Sequence, residues 1–125
     1  MVEVYRVTRR FPKEELYGLT SQVRRAACSV VSNIAEGQGR LTYGEWRQHL
    51  SEARGSLYEA QAQMIAAEEL EFIDAKTAAA MDKRATEVAS TLQGLIEWVL
   101  RRESEAKTRG RQKPPRTNHE QRTTR

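Results

Sequence analysis

Side chains able to do chemistry crowd into one stretch of this 125-residue chain, RRAACSVVSNIAEGQGR from Arg24 to Arg40. It holds a thiol at Cys28, hydroxyls at Ser29 and Ser32, the Asn33 amide, the Glu36 carboxylate and three arginines. Nucleophilic catalysis is the first chemistry to weigh. Cys28 sits among Val and Ala with no sequence-adjacent base, which suits a small packing residue better than a nucleophile. Ser29 and Ser32 show no activating partner. His49 is isolated in the body of the chain and His119 lies near its end, neither with a second His or a Cys at metal-ligand spacing. A single cysteine allows no internal disulfide and no Cys-rich metal site. Paired carboxylates such as Glu14-Glu15 and Glu68-Glu69 are typical of solvated helix faces. The expectation is a non-enzyme, with no catalytic residue, metal, cofactor or small-molecule substrate.

Two other chemistries stay open for the stretch. In the preferred one, Arg25, Ser29, Ser32, Asn33 and Glu36 share a helix face at about 100° per residue. They would pair with Glu52, Ser56 and Glu59 of the following helix as a structural polar network, because buried polar groups need partners and such pairing fixes register. In the other, Gly37-Gln38-Gly39-Arg40 is an anion site, with Arg40 and the free amides of the next helix facing a phosphate. Two glycines and one Arg, without a Lys or a preceding strand, are a weak phosphate signal.

The elements that must position these groups are helical. Val4, Val7 and Phe11, spaced 3 and 4 apart, mark a first helix, which Pro12 stops near Arg10, leaving a stub. Pro12 to Thr20 reads as a connection broken at Gly18, with Thr20 as N-cap of a second helix from Leu19 to Glu36. Its core stripe is Leu19, Val23, Ala26, Val30 and Ile34, and Gly37 suits the left-handed position that closes many helices. Thr42 and Glu45 have capping-box spacing, and Leu41 with Trp46 that of a hydrophobic staple. From Trp46 to Ala67 a heptad seam of Leu50, Ala53, Leu57, Ala60 and Met64 follows, ending near Leu70. Asp74 caps a fourth helix with the seam Ala78, Met81, Ala85, Val88, Leu92, Leu95 and Val99. Trp98 flanks that seam and is expected at a subunit contact or against Val4 or Tyr5 of the stub. No strand-like alternation occurs. The fold class is all-α, an up-and-down antiparallel four-helix bundle with a short first helix.

Charge is unevenly placed. Of the formal +4, the segment from Ser104 to Arg125 carries +5, from seven Lys/Arg against two Asp/Glu. Pro114 and Pro115 with few apolar neighbours argue against a fold there. Residues 1–103 are therefore expected to form the bundle and 104–125 a basic disordered tail. Lys107, Arg109, Arg111, Lys113 and Arg116, with Arg40, are the candidate nucleic-acid contacts, since neutralising phosphates releases condensed counterions. No run approaches the roughly 18 apolar residues of a membrane span, and no secretory signal opens the chain. A cytoplasmic, membrane-free setting follows as the expectation.

RRAACSVVSNIAEGQGR with LSEARGSLYEAQAQM, preceded by FPKEELYGLTSQ, resembles the four-helix-bundle proteins encoded in intervening sequences of 23S ribosomal RNA genes. The resemblance runs from about Phe11 to the end of the fourth helix. Its most specific part is Ser32 to Gly37 with Gly39-Arg40, then Gly55-Ser56-Leu57 and Glu59. It implies a bundle assembling as a ring-like homopentamer, with no established biochemical role. Related accessory proteins of diversity-generating retroelements share the fold, bind nucleic acid and associate with a reverse transcriptase. Family members begin with a full first helix, whereas here only a stub precedes Phe11. Either the start is placed late or part of the apolar seam is left for another chain to cover. The basic tail is outside the shared pattern.

The expected function is thus a non-enzymatic, oligomeric nucleic-acid or ribonucleoprotein accessory binding RNA or DNA backbones with little sequence preference. The alternative is a protein-interaction module whose partner, for example a reverse transcriptase, covers the exposed apolar stripe.

Overall fold

A computed structural model describes residues 1–110. The elements are α1 (Val2–Thr8), a 3₁₀ turn (Lys13–Glu15), α2 (Leu19–Gln38), α3 (Tyr43–Glu69) and α4 (Ala75–Thr108), with no strand among the described residues. The expected all-α bundle with a short first helix is what forms.

Local chemistry sets the boundaries. After α1 the chain tightens through Arg10 N–H to Val7 O at 3.0 Å and Phe11 N–H to Thr8 O at 3.0 Å, and Pro12 then forbids continuation. Thr20 is not the cap of α2. The helix starts at Leu19 as expected, with Gly18, two residues before Thr20, as its cap residue and the Glu15 carboxylate accepting from Leu19 N–H at 3.2 Å, while Thr20 is buried. At α3 the Thr42 hydroxyl accepts from Glu45 N–H at 3.1 Å, the main arm of a capping box. Leu41 stays 64% exposed, so no hydrophobic staple closes that turn.

The α3–α4 turn closes as a Schellman motif: Phe72 N–H reaches Ala67 O and Glu71 N–H reaches Glu68 O, both at 2.9 Å. Glu71 occupies its left-handed position at φ 62°. Asp74 then caps α4 by accepting from Thr77 N–H at 2.7 Å. The Thr77 hydroxyl, and after it this backbone bond, hold the Asp74 carboxyl below the ordinary carboxylate range.

Packing is organised around α3. It lies against α2 on one side and α4 on the other, while α1 touches both α2 and α4 and these two do not approach each other among the described residues. The core is accordingly in two parts. At one end Val4, Val7 and Phe11 pack with Val23, Ala27, Met64, Ala67 and Ile73, with Phe11 and Phe72 rings 5.5 Å apart. At the other, Tyr43, Trp46, Leu50 and Ala53 meet Leu92, Ile96, Val99 and Ala106. Trp98 belongs to this second cluster, edge-on to Trp46 at 5.7 Å, rather than to the stub. The α4 seam is buried only from Leu92 onward, through Leu92, Ile96 and Val99, with Ile96 taking the buried place expected of Leu95, which is half-buried. Val88 remains 41% exposed, because the seven residues of α1 cover only the opposite end.

The expected boundary at Glu103 falls inside α4. Helix continues to Thr108, Ala106 is buried, and Glu103 itself bonds Arg47 of α3 at 2.9 Å. These contacts keep residues 104–108 in the folded body. The expected tail from Arg111 on, including Lys113 and Arg116, lies outside the described residues.

Candidate functional site

The chemistry-bearing stretch forms the second half of α2 and is read against the first half of α3. Because a short turn joins the helices, residues equally far from it meet. Ser29 Oγ lies 2.9 Å from Ser56 Oγ. Asn33 Nδ2 donates to Ser29 O at 3.0 Å and to Ser29 Oγ at 3.1 Å, and its Oδ1 lies 3.1 Å from His49 Nδ1. With the amide oxygen as acceptor, His49 Nδ1 carries the proton. Two carboxylates flank it, Glu36 at 3.6 Å and Glu52 at 4.0 Å. The pairing is half-buried, which is where an unmade hydrogen bond costs more than a made one contributes.

The structure therefore brings Ser29, Asn33, Glu36, Glu52 and Ser56 together and adds His49, which sequence reasoning left isolated. The missing signal was register: counting five residues back from Gln38 and six on from Tyr43 puts Asn33 opposite His49. Other expected members lie elsewhere. Arg25 and Ser32 are exposed and make no side-chain hydrogen bond or ion pair among the described residues. Glu59 accepts from Gln63 of its own helix at 3.2 Å, not from α2.

Gly37 does not terminate α2 in a left-handed conformation. It is helical and buried. A Cβ there would lie 2.9 Å from Trp46 Cδ1 and 3.2 Å from His49 Cβ, so its role is close approach of α2 to α3. The helix ends two residues later at Gly39, whose φ of −87° any residue adopts.

Of the candidate phosphate contacts, Arg40 is exposed and lies 4.0 Å from Glu36, a partner that competes with an incoming anion. Lys107 and Arg109 are exposed at the free end of α4. Among the described residues no group of three His, Cys, Asp or Glu is placed to hold a metal ion, and no helix is long and apolar enough to cross a membrane.

Two concavities among the described residues bear on function. Between α2 and α4, floored by α3, runs an apolar groove of about 580 Å³, lined chiefly by Val30, Val31, Ile34, Leu57, Met64 and Val88. Val31 is 48% exposed there. Helix α1 closes only one end of the groove, where Met1, Glu3 and Val4 line it and Glu3 ties to Arg84 on α4 at 2.7 Å. A smaller hollow lies where the 9–18 connection and Tyr5 of α1 meet α2. There the Cys28 thiol, 3.9 Å from the Tyr5 hydroxyl, pushes Tyr5 above its ordinary range.

No curated protein matches the chain. A family model does, over all of α1, α2 and α3 and more than half of α4. Because the model described as 23S rRNA-intervening sequence protein matches residues 1–94, on a chain that folds as helices joined by short turns, the protein belongs to that family.

Proposed function

We propose that the protein is a non-enzymatic, oligomeric helical scaffold that binds the phosphate backbone of RNA or DNA with little sequence preference, in a cytoplasmic setting. The supporting observation is the course of α4. Its last turns run to Thr108, with Lys107 and Arg109 exposed. The sequence continues from there through Arg111, Lys113 and Arg116. Of the two acids close to this end, Glu103 is held by Arg47 at 2.9 Å while Glu105 is exposed, so the cations outnumber them. A cluster of cations of this kind attracts phosphates by counterion release. The described helices carry no cluster of Arg, Asn and Gln arranged to read base edges, in keeping with backbone binding.

The apolar groove supports assembly, since contiguous apolar surface of this kind marks an association site. We take a ring of five copies, as the family resemblance implies, as the working assembly. A second reading draws on the same groove: a protein partner, for example a reverse transcriptase, fills it and the basic segment is incidental.

Binding of RNA and DNA by the full chain, by Lys107→Gln/Arg109→Gln and by a chain ending at Gly110, across a salt series, tests the proposal. The expected result is weaker binding and a shallower salt slope in both altered forms. Equal affinity and slope in all three removes the basic end from the mechanism. Absence of binding in every form leaves the protein-partner reading.

A further inference from the structure

The hollow beside the 9–18 connection differs from the rest of the surface. It measures about 400 Å³, and its lining includes Tyr5, Tyr17, Ser21, Arg24 and Arg25 but no carboxylate. Glu15, close by in sequence, is engaged by Leu19 N–H at 3.2 Å. Tyr17 is 91% exposed, although its turn is held on both sides by Glu15 N–H to Pro12 O at 2.9 Å and Gly18 N–H to Glu15 O at 3.0 Å. An aromatic ring displayed from an ordered turn leaves its whole face available for stacking.

Arg24 is already oriented. Its Nε donates to Thr8 Oγ1 at 2.9 Å, and its guanidinium carbon lies 4.6 Å from the centroid of the Tyr5 ring. Its two terminal nitrogens have no acceptor among the described residues. Arg25 is exposed beside it.

We propose that this hollow takes one nucleotide unit of a single-stranded nucleic acid, with the base stacked on Tyr17 and the phosphate held by Arg24 and Arg25. A free ring face beside two guanidinium groups, with no acid between them, matches a base and its phosphate together. An acidic peptide would engage the arginines and leave the ring unused. The inference rests on the nucleic-acid reading above, and places a contact on the body of the bundle, on elements other than the α4 end and Arg40.

The test uses the full chain with a fluorescein-labelled oligouridylate or oligothymidylate of about twelve nucleotides, read by anisotropy across a salt series. Tyr17→Ala is expected to weaken binding about tenfold with the salt slope unchanged, while Tyr17→Phe, which keeps the ring, stays within about twofold. Arg25→Gln is expected to reduce the salt slope by about 0.7. Arg24 is left intact because its bond to Thr8 joins α1 to α2. Uridine monophosphate added as competitor separates two sources of the same chemistry. Displacement at equal nucleotide concentration assigns the hollow to a free nucleotide, and persistence of the complex assigns it to the strand. Wild-type affinity and slope in both Tyr17→Ala and Arg25→Gln overturn this inference and leave backbone binding standing. Failure of the wild-type chain to bind either strand overturns both.

Discussion

Gly37 and Trp46 touch so closely that a single added carbon on the glycine would lie 2.9 Å from Trp46 Cδ1. The contact brings α2 down onto the start of α3, beside the His49–Asn33 pair. Gly37→Ala forces the Trp46 indole, 8% exposed, to move within a packed cluster. We expect a loss of about 1–3 kcal/mol, the usual cost of overpacking, read by chemical denaturation. An unchanged midpoint would show that Trp46 has room to yield.

Glu71 offers the opposite outcome. It holds φ 62° at the left-handed position of the Schellman turn, where a side chain costs about 1–2 kcal/mol. Glycine removes that cost and gives back about 0.5–1 kcal/mol through its freer unfolded state. Glu71→Gly is therefore expected to stabilise by about 0.5–1 kcal/mol, measured as a raised denaturation midpoint. A lower midpoint would mean that the Glu71 side chain contributes more than its backbone costs.

Asp74 makes the fold sensitive to acid. Bonds from Thr77 hold its folded pKa below the unfolded value, so this contribution is present above the ordinary carboxylate range. It is lost as pH falls through that range toward the lower folded value. Asp74→Asn keeps a capping oxygen but does not titrate. Melting temperatures from pH 7 to pH 3 (about the span of carboxylate titration) are expected to fall less steeply in the variant, and parallel curves would remove Asp74 from the acid response.

The groove predicts assembly behaviour. Val31 and Val88 line it from facing helices and are 48% and 41% exposed, so charge at either site is tolerated by the single chain. If the chain assembles as proposed, Val31→Glu and Val88→Glu are expected to shift sedimentation to smaller species while helical content is unchanged. A wild-type chain that sediments as a monomer at micromolar concentration contradicts obligatory assembly outright.

The His49–Asn33 pairing predicts a local effect. Asn33→Ala leaves His49 Nδ1 and the Ser29–Ser56 pair without a shared partner. A loss of about 1–3 kcal/mol is expected, measured by denaturation. Arg40→Ala, at an exposed pair with Glu36, is expected to leave melting unchanged. If it also leaves nucleic-acid affinity unchanged, the loop from Gly37 to Arg40 is not an anion site.

Much of this architecture was legible in the residues. The 3-and-4 spacing of apolar side chains, Pro12, Thr42 and Asp74 act within a turn or two of themselves, so helices, caps and the all-α class follow from sequence alone. That Ser29 and Ser56 belong to one network was legible too, because a short turn fixes antiparallel register, but the direct Ser29–Ser56 pair was not. Relations between separate helices were not. Gly37 has the composition of a helix stop, and only the nearness of Trp46 shows it to be a contact. His49 is a lone histidine until α2 supplies Asn33 and Glu36. Arg25, Ser32 and Glu59 share the periodicity of the polar stripe yet miss the interface, since a wheel gives direction and not the width of the facing helix.

The sequence by itself determined the helices, the caps at Thr42 and Asp74 and the family, because those rest on local periodicity and on a long motif. Tertiary structure alone decided which seam positions are covered, that α4 carries its order past Glu103 to Thr108, and that Tyr17 stands exposed beside Arg24 and Arg25. Burial is a relation among distant segments: a seam written for four walls stays open wherever a seven-residue α1 does not reach.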